Sequence, residues 1–234
     1  MQTTLMIADI AVVVHQKPIK NLHLKVLPPD GAVRVSAPYH FTLDAIRLLL
    51  ISKIGWIRTQ QKKFADQPRQ LPRQYVSGET HYFRGRRYLL KVIQQVGASC
   101  IKIQGINTLC MYVSLSLSQT GRKTLLDAWY RKQLMLQLDK IVPKRVQQMQ
   151  VPLPEYRIKK MKTRWGTCNI RAQRIWLNLE LIKKPPECLE YVVVHELTHL
   201  LERTHNKRFQ AFMTQFMPTW RTQKQLLNEM ELGL

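Results

Sequence analysis

Acidic residues are scarce in this sequence of 234: 15 Asp plus Glu stand against 37 Lys plus Arg, a formal net charge of +22. An excess of that size repels itself, so it points to an anionic partner: a nucleotide, nucleic acid or an acidic lipid surface. Cysteine is sparse as well. The four that occur, Cys100, Cys110, Cys168 and Cys188, contain no CxxC pair, which argues against a disulfide framework or a zinc finger and predicts reduced, mostly buried thiols. Nowhere do roughly 18 consecutive apolar residues occur, so no transmembrane helix and no membrane partner is expected. The apolar stretch from Leu5 to Val14 is broken by Asp9 and has no basic residues before it. A signal peptide is therefore not expected, and the expected location is the cytoplasm.

What is present is enough for a folded protein: 45% hydrophobic and 22% charged residues, at a length that suits one large domain or two small ones. Strand patterns over the first forty residues, with a turn at Pro28-Pro29-Asp30-Gly31, predict a small sheet, and the apolar spacing from Thr42 to Phe64 predicts a helix. Residues 66–73 read as a linker, and Tyr75 to Val113 as further strands punctuated by glycine. From Gly121 onward long helical runs take over, the first from Leu125 to Met149 with Pro143 expected to kink or split it. The predicted organisation is thus α+β, with a β-rich region over 1–120 that includes one long helix and a mostly helical region over 121–234. No internal repeat is evident. The terminal run Trp220 to Leu232 has Leu226, Leu227 and Met230 at the spacing of a core-packing helix.

The sharpest chemical signal is His195-Glu196-Leu197-Thr198-His199, followed by His205, which puts three of the seven histidines within a short stretch. On a helix, residues i and i+4 lie about 40° apart and one turn apart, so His195 and His199 can face one metal ion. On a strand they would stand about 13 Å apart and could not share an ion that needs nitrogens at about 2.0 to 2.1 Å. Pro185-Pro186 at the entry and Glu187 in the first turn mark a helix start. Glu196, rotated about 100° from His195, can reach a water beside the metal without ligating, which suits a general base. His205 is the leading third ligand, because three neutral imidazoles leave zinc its Lewis acidity; Glu202, i+3 from His199, is the rival. One Zn2+ per chain is expected.

A second feature is the basic turn Lys162-Thr163-Arg164-Trp165-Gly166. Arg164 can grip phosphate or carboxylate, Lys162 adds a point charge, and Trp165 offers a stacking face, although the same turn can equally be structural, with Trp165 packed on the metal-binding helix. Cys168 and Cys188 are not expected as ligands, since Cys188 lies about 10.5 Å along the helix from His195.

The strings KTRWGTCN (162–169) and RIWLNLELIKKPPECLEYVVVHELTHLLERTHNKRF (174–209), with SGETHYFRGRRYLL (77–90) in the first half, resemble the YgjP-like family of zincin metallohydrolases, distant relatives of the SprT and WLM metallopeptidases. The resemblance implies a zincin-like α+β core, zinc on His195, His199 and His205, and Glu196 as catalytic acid/base. It implies hydrolysis of UTP to UMP and pyrophosphate, with Lys162, Arg164 and Trp165 at the nucleotide. The alternative it carries is a zinc metallopeptidase acting on nucleic-acid-bound proteins. Glu202 stands where the metzincin pattern has a turn-forming Gly.

Overall fold

The computed structural model describes residues 2–27, 30–66 and 73–229. Pro28 and Pro29 of the predicted turn, most of the predicted linker and the end of the terminal run from Met230 lie outside them. The chain forms two compact units, Met1–Leu71 and Pro72–Leu234. The expected change of character near residue 120 therefore falls inside the second unit, where sheet residues Leu90, Leu109 and Met111 share one core with the helix that follows them.

The first unit runs β1 (Gln2–Ile7), β2 (Ile10–Lys17), β3 (His23–Leu27), β4 (Ala32–Pro38), α1 (Leu43–Ser52) and α2 (Ile54–Asp66). Its sheet has the order β1-β2-β4-β3, with β2 and β4 parallel. Val12, Val14, Val33 and Val35 alternate inward and meet Ile46, Leu50 and Ile57. The single helix predicted over 42–64 is two helices. Lys53 leaves helical geometry with an i→i−3 bond to the Leu50 carbonyl, and Ile57 then resumes the buried row begun by Ile46 and Leu50.

The second unit opens with β5 (Thr80–Phe83), β6 (Arg86–Gln94), β7 (Cys100–Gln104), β8 (Thr108–Val113) and α3 (Gln119–Met149). Its sheet order is β5-β6-β8-β7, again parallel at the centre between β6 and β8. Two hairpins, a parallel central pair and a helix are thus built twice. The second copy trails the first by 78 residues at the first strand (80 − 2) and 76 at the helix (119 − 43). The repeat escapes a reading of the sequence because the copies share topology and period-two hydrophobicity rather than residue identities. At the β5–β6 turn both Arg84 and Gly85 take positive φ, as a two-residue hairpin requires. Their N–H groups donate to the carbonyls of Ile182 and Lys183, so the turn docks just before the helix that carries His195.

α3 runs unbroken through Pro143 rather than splitting. Pro143 is exposed, so the carbonyl that loses its partner four residues earlier can turn to water. Leu126, Tyr130, Leu134, Leu138 and Val142 recur every fourth residue along its buried face. A second sheet follows, β9 (Glu155–Lys159), β10 (Gly166–Asn169) and β11 (Arg174–Asn178), in the order β10-β11-β9 with β10 at an edge. Then come a 3-10 segment Leu179–Lys183, α4 (Pro186–Thr198), α5 (Lys207–Phe216) and α6 (Trp220–Glu229). Val192-Val193-Val194 is helical despite its β propensity because α4 is enclosed, and all three side chains are buried in the unit's core. In α6, Leu227 packs inward as the spacing predicts and Trp220 does so as well, while Leu226 is exposed. No helix among the described residues is long and apolar enough to cross a membrane.

Candidate metal centre and its cleft

α4 carries His195 in its last turn and His199 at its C-cap, still in right-handed helical geometry, so the two imidazoles leave the same side of the helix. Beyond His199 the chain must reverse within six residues to bring His205 back. It does so without glycine: none of the described residues from His199 to Asn206 has a positive φ. Glu202 pins the turn, its carboxylate accepting from the Thr204 N–H and hydroxyl, each at 3.2 Å, and these bonds hold its carboxyl below the ordinary range. Asn206 then caps α5 by accepting from the Phe209 N–H at 3.0 Å.

The result is a cluster of His195, His199 and His205 whose ligand nitrogens lie within 4.8 Å of one another, and Glu202 is not part of it. His195 Nε2 and His205 Nε2 are 3.0 Å apart, near the separation of about 3.3 Å between two nitrogens of a tetrahedral zinc site. His199 Nδ1 donates to the Glu202 carbonyl at 3.3 Å, which leaves its Nε2 lone pair for an ion. Burial, reinforced by the two neighbouring imidazoles, pushes His195 down to about 3, and burial lowers His199 too, so both stand neutral and ready to ligate. The donor set therefore fits a divalent transition metal, and three imidazoles suit zinc. Under the cluster lies Phe209, which no sequence pattern singles out. Its ring centroid is 5.0, 4.8 and 4.8 Å from those of His195, His199 and His205.

Glu196 is 5% exposed, and burial pushes its carboxyl up to about 8, against the opposing pull of the Arg164 guanidinium. Its placement depends on Gly166 at the start of β10. A Cβ on that residue would sit 2.5 Å from Glu196 Oε1 and 2.8 Å from its Cγ, inside contact distance of a buried side chain with little room to retreat. Gly166→Ala is expected to displace the carboxylate by a fraction of an ångström or more. It should lower turnover about a hundredfold while metal content stays near that of the parent, with a loss of stability of no more than about 1 to 3 kcal/mol from the tighter packing. Steady-state kinetics beside metal analysis reads the difference, and parent-like turnover would remove Gly166 from the site.

The basic turn is organised by Asn178, fully buried at the end of β11. Its Nδ2 donates to the carbonyls of Met161 and Arg164, both at 2.8 Å, and its Oδ1 accepts from the N–H groups of Met161 and Glu180. An Asn set between leucines in the mostly apolar run Trp176 to Ile182, which Glu180 also interrupts, was the available signal for it. Replacing it with leucine orphans these groups, and Asn178→Leu is expected to destabilise the protein by on the order of 3 kcal/mol in chemical denaturation. A loss below about 1 kcal/mol would show that the turn does not depend on it.

The predicted substrate-binding residues separate. Arg164 lines an open cleft of about 890 Å³ with Gly166, Cys168, Arg171, Arg203, Glu196 and the three histidines. Lys162 is exposed but does not line the cleft, and Trp165 is half-buried against the core with the Lys184 ammonium 5.5 Å from its ring. All four cysteines are free. Cys188 is buried as expected, whereas Cys168 is half-buried on the cleft wall, and burial pushes both thiols up to about 11, too high for ready thiolates.

A helix-borne histidine pair, a buried glutamate between them and a third histidine returning from the next loop define the class of HExxH metallohydrolases. The chain belongs to the YgjP-like family within it: the YgjP-like metallopeptidase domain matches residues 20–230. Among solved structures, the metallopeptidase zymogen jannalysin of Methanocaldococcus jannaschii is 17% identical, over 39% of this chain and 94% of that one, with a TM-score of 0.36. The metallopeptidase zymogen abylysin of Pyrococcus abyssi is 20% identical, over 39% of this chain and 90% of that one, also with a TM-score of 0.36. No curated protein matches the chain at a significant level.

Proposed function

We propose that the protein is a zinc-dependent hydrolase of anionic substrates and, within that class, a nucleoside triphosphate pyrophosphohydrolase that cleaves UTP to UMP and pyrophosphate. The observation that carries the reading is the charge of the cleft. Arg164, Arg171 and Arg203 line it, none of the three forms a salt bridge among the described residues, and Glu196 is its single carboxylate. Guanidinium groups grip phosphoryl oxygens with paired hydrogen bonds, and a triphosphate offers several such oxygens. The choice of uridine rests on the family resemblance alone.

His195, His199 and His205 would hold the ion, which when bound supplies Lewis acidity toward a phosphoryl or carbonyl oxygen and acidifies water. The remaining work falls to this chain. Arg164 and its neighbours hold the triphosphate with its α-phosphorus toward Glu196. Glu196 takes a proton from the attacking water on its carboxylate as that water's oxygen bonds to phosphorus, and the bond to the pyrophosphate oxygen breaks. Gly166, having no Cβ, leaves the room that the Glu196 carboxylate occupies.

A peptide substrate is the second reading, favoured by β10. It is an edge strand whose Gly166, Thr167 and Cys168 border the cleft, so an extended peptide could pair with its free side. Pyrophosphate release from UTP, run beside cleavage of an unfolded protein and of a DNA-bound protein, separates the two. Arg164→Ala is expected to depress triphosphate hydrolysis at least about tenfold, with metal content unchanged. If the parent cuts no triphosphate but cuts protein, or if Arg164→Ala cuts UTP equally well, the peptidase reading stands instead.

A further inference from the structure

The cleft uses only a few of the surplus cations, and a second concentration lies on the outer face of the β10-β11-β9 sheet. Along these strands the side chains alternate. Ile158, Ile175 and Leu177 turn inward and are buried, so their neighbours face outward. The registers place Thr167 opposite Trp176 and Trp176 opposite Arg157, a row across all three strands with the tryptophan at its centre. The Arg157 guanidinium carbon is 5.7 Å from the centre of the Trp176 ring, and Lys159 Nζ is 6.0 Å from it. Trp176 is half-exposed, unlike the apolar residues on either side of it, which are fully buried.

Charge on this face is one-sided. Glu155 is its single carboxylate, and it accepts from both Arg157 Nε and Arg174 Nε, so one negative charge stands against two guanidinium groups at one end of the sheet. Lys159 has no carboxylate partner among the described residues. An aromatic ring with exposed cations over and beside it on a sheet surface combines two needs of an unpaired nucleotide chain: a face on which a base stacks and charges that follow the phosphates. A duplex hides its base faces and would use only the charges. A membrane would call for further apolar residues on this face, and the other outward positions are Thr167, Asn169, Arg174, Glu155, Arg157 and Lys159, with Asn178 buried beneath the basic turn.

We propose that the outer face of the β10-β11-β9 sheet binds single-stranded nucleic acid, with a base stacked on Trp176 and phosphates held by Arg157, Lys159 and Arg174. Arg157 and Lys159 are both exposed, so either can swing from the ring to a phosphate when a strand arrives. Trp176, Arg157, Lys159 and Arg174 lie outside the cleft that holds the histidine cluster, and only Thr167 and Asn169 of the edge strand β10 belong to both this face and the cleft wall.

The test is fluorescence anisotropy of the full chain with a labelled twelve-nucleotide single strand of uridines or thymidines, titrated at several salt concentrations beside a duplex of equal length. The parent is expected to prefer the single strand. Trp176→Ala should weaken its binding about five- to hundredfold, and Trp176→Phe should retain most of the affinity. Lys159→Ala should reduce the slope of log affinity against log salt by about 0.7. Glu196→Gln should bind as the parent does, which keeps this result apart from the fate of the hydrolytic reading. No binding by the parent, equal binding of duplex and single strand, or parent-like affinity in a folded Trp176→Ala would overturn the proposal. Should Trp176→Ala fail to fold, Lys159→Glu decides: affinity equal to the parent's overturns it, and a loss of tenfold or more supports it.

Discussion

Glutamine in place of Glu196 is expected to lower turnover by about a hundred- to ten-thousandfold while the protein keeps its metal and its fold. The amide has nearly the shape of the carboxylate, so the packing against Gly166 survives, but it cannot accept a proton near neutral pH. The prediction does not depend on whether the substrate is a phosphoanhydride or a peptide, because both reactions need a proton removed from water beside the histidine cluster. Turnover within a few fold of the parent, in protein of confirmed metal content, would take the role of base away from Glu196. A variant that lost both metal and turnover would leave the two effects to be separated by Glu196→Asp, which retains a carboxylate on a shorter arm.

The second large effect is on metal content itself. The parent is expected to bind about one zinc ion per chain, and His195→Ala or His199→Ala should empty the site, because two imidazoles rarely hold zinc against competing water and buffer. His205→Ala should do the same if the cluster acts as a three-ligand site, whereas Glu202→Ala should retain the ion, since its carboxylate is committed to Thr204. Elemental analysis after dialysis reads the outcome directly, and the rise in thermal midpoint on adding zinc reads it independently of any activity. Loss of zinc from Glu202→Ala but not from His205→Ala would transfer the third position to Glu202.

The cluster was legible in the sequence because its signal is local: the i, i+4 spacing of His195 and His199 has meaning on a helix whatever the rest of the chain does. The α+β class was legible for the same reason, since alternation and 3.6-residue periodicity are properties of short segments. The partition into units was less so. A change from strands to helices near residue 120 marks a change of local structure, but compactness depends on which faces meet, and α3 shares its core with the strands before it. The duplicated hairpin module left no mark in residue identity because a sheet asks only for alternation, which many sequences meet.

The basic turn divides in the same way. Its charge and its tryptophan were visible, but which of them face the cleft is set by Asn178, a residue distant enough in sequence that only folding brings it to the carbonyls of Met161 and Arg164. Through that anchor Arg164 lines the cleft and Trp165 packs against the core, while the half-exposed aromatic with cations around it is Trp176. Gly166 likewise reads as a turn glycine in the sequence and becomes the neighbour of Glu196 only when β10 is laid beside α4. Local spacing determined the histidine pair, the glutamate between them and the helix that carries them. The third histidine's return, the room for the glutamate and the direction of each arginine were decided by tertiary packing, because each depends on contacts between segments whose separation in the chain carries no information about their separation in space.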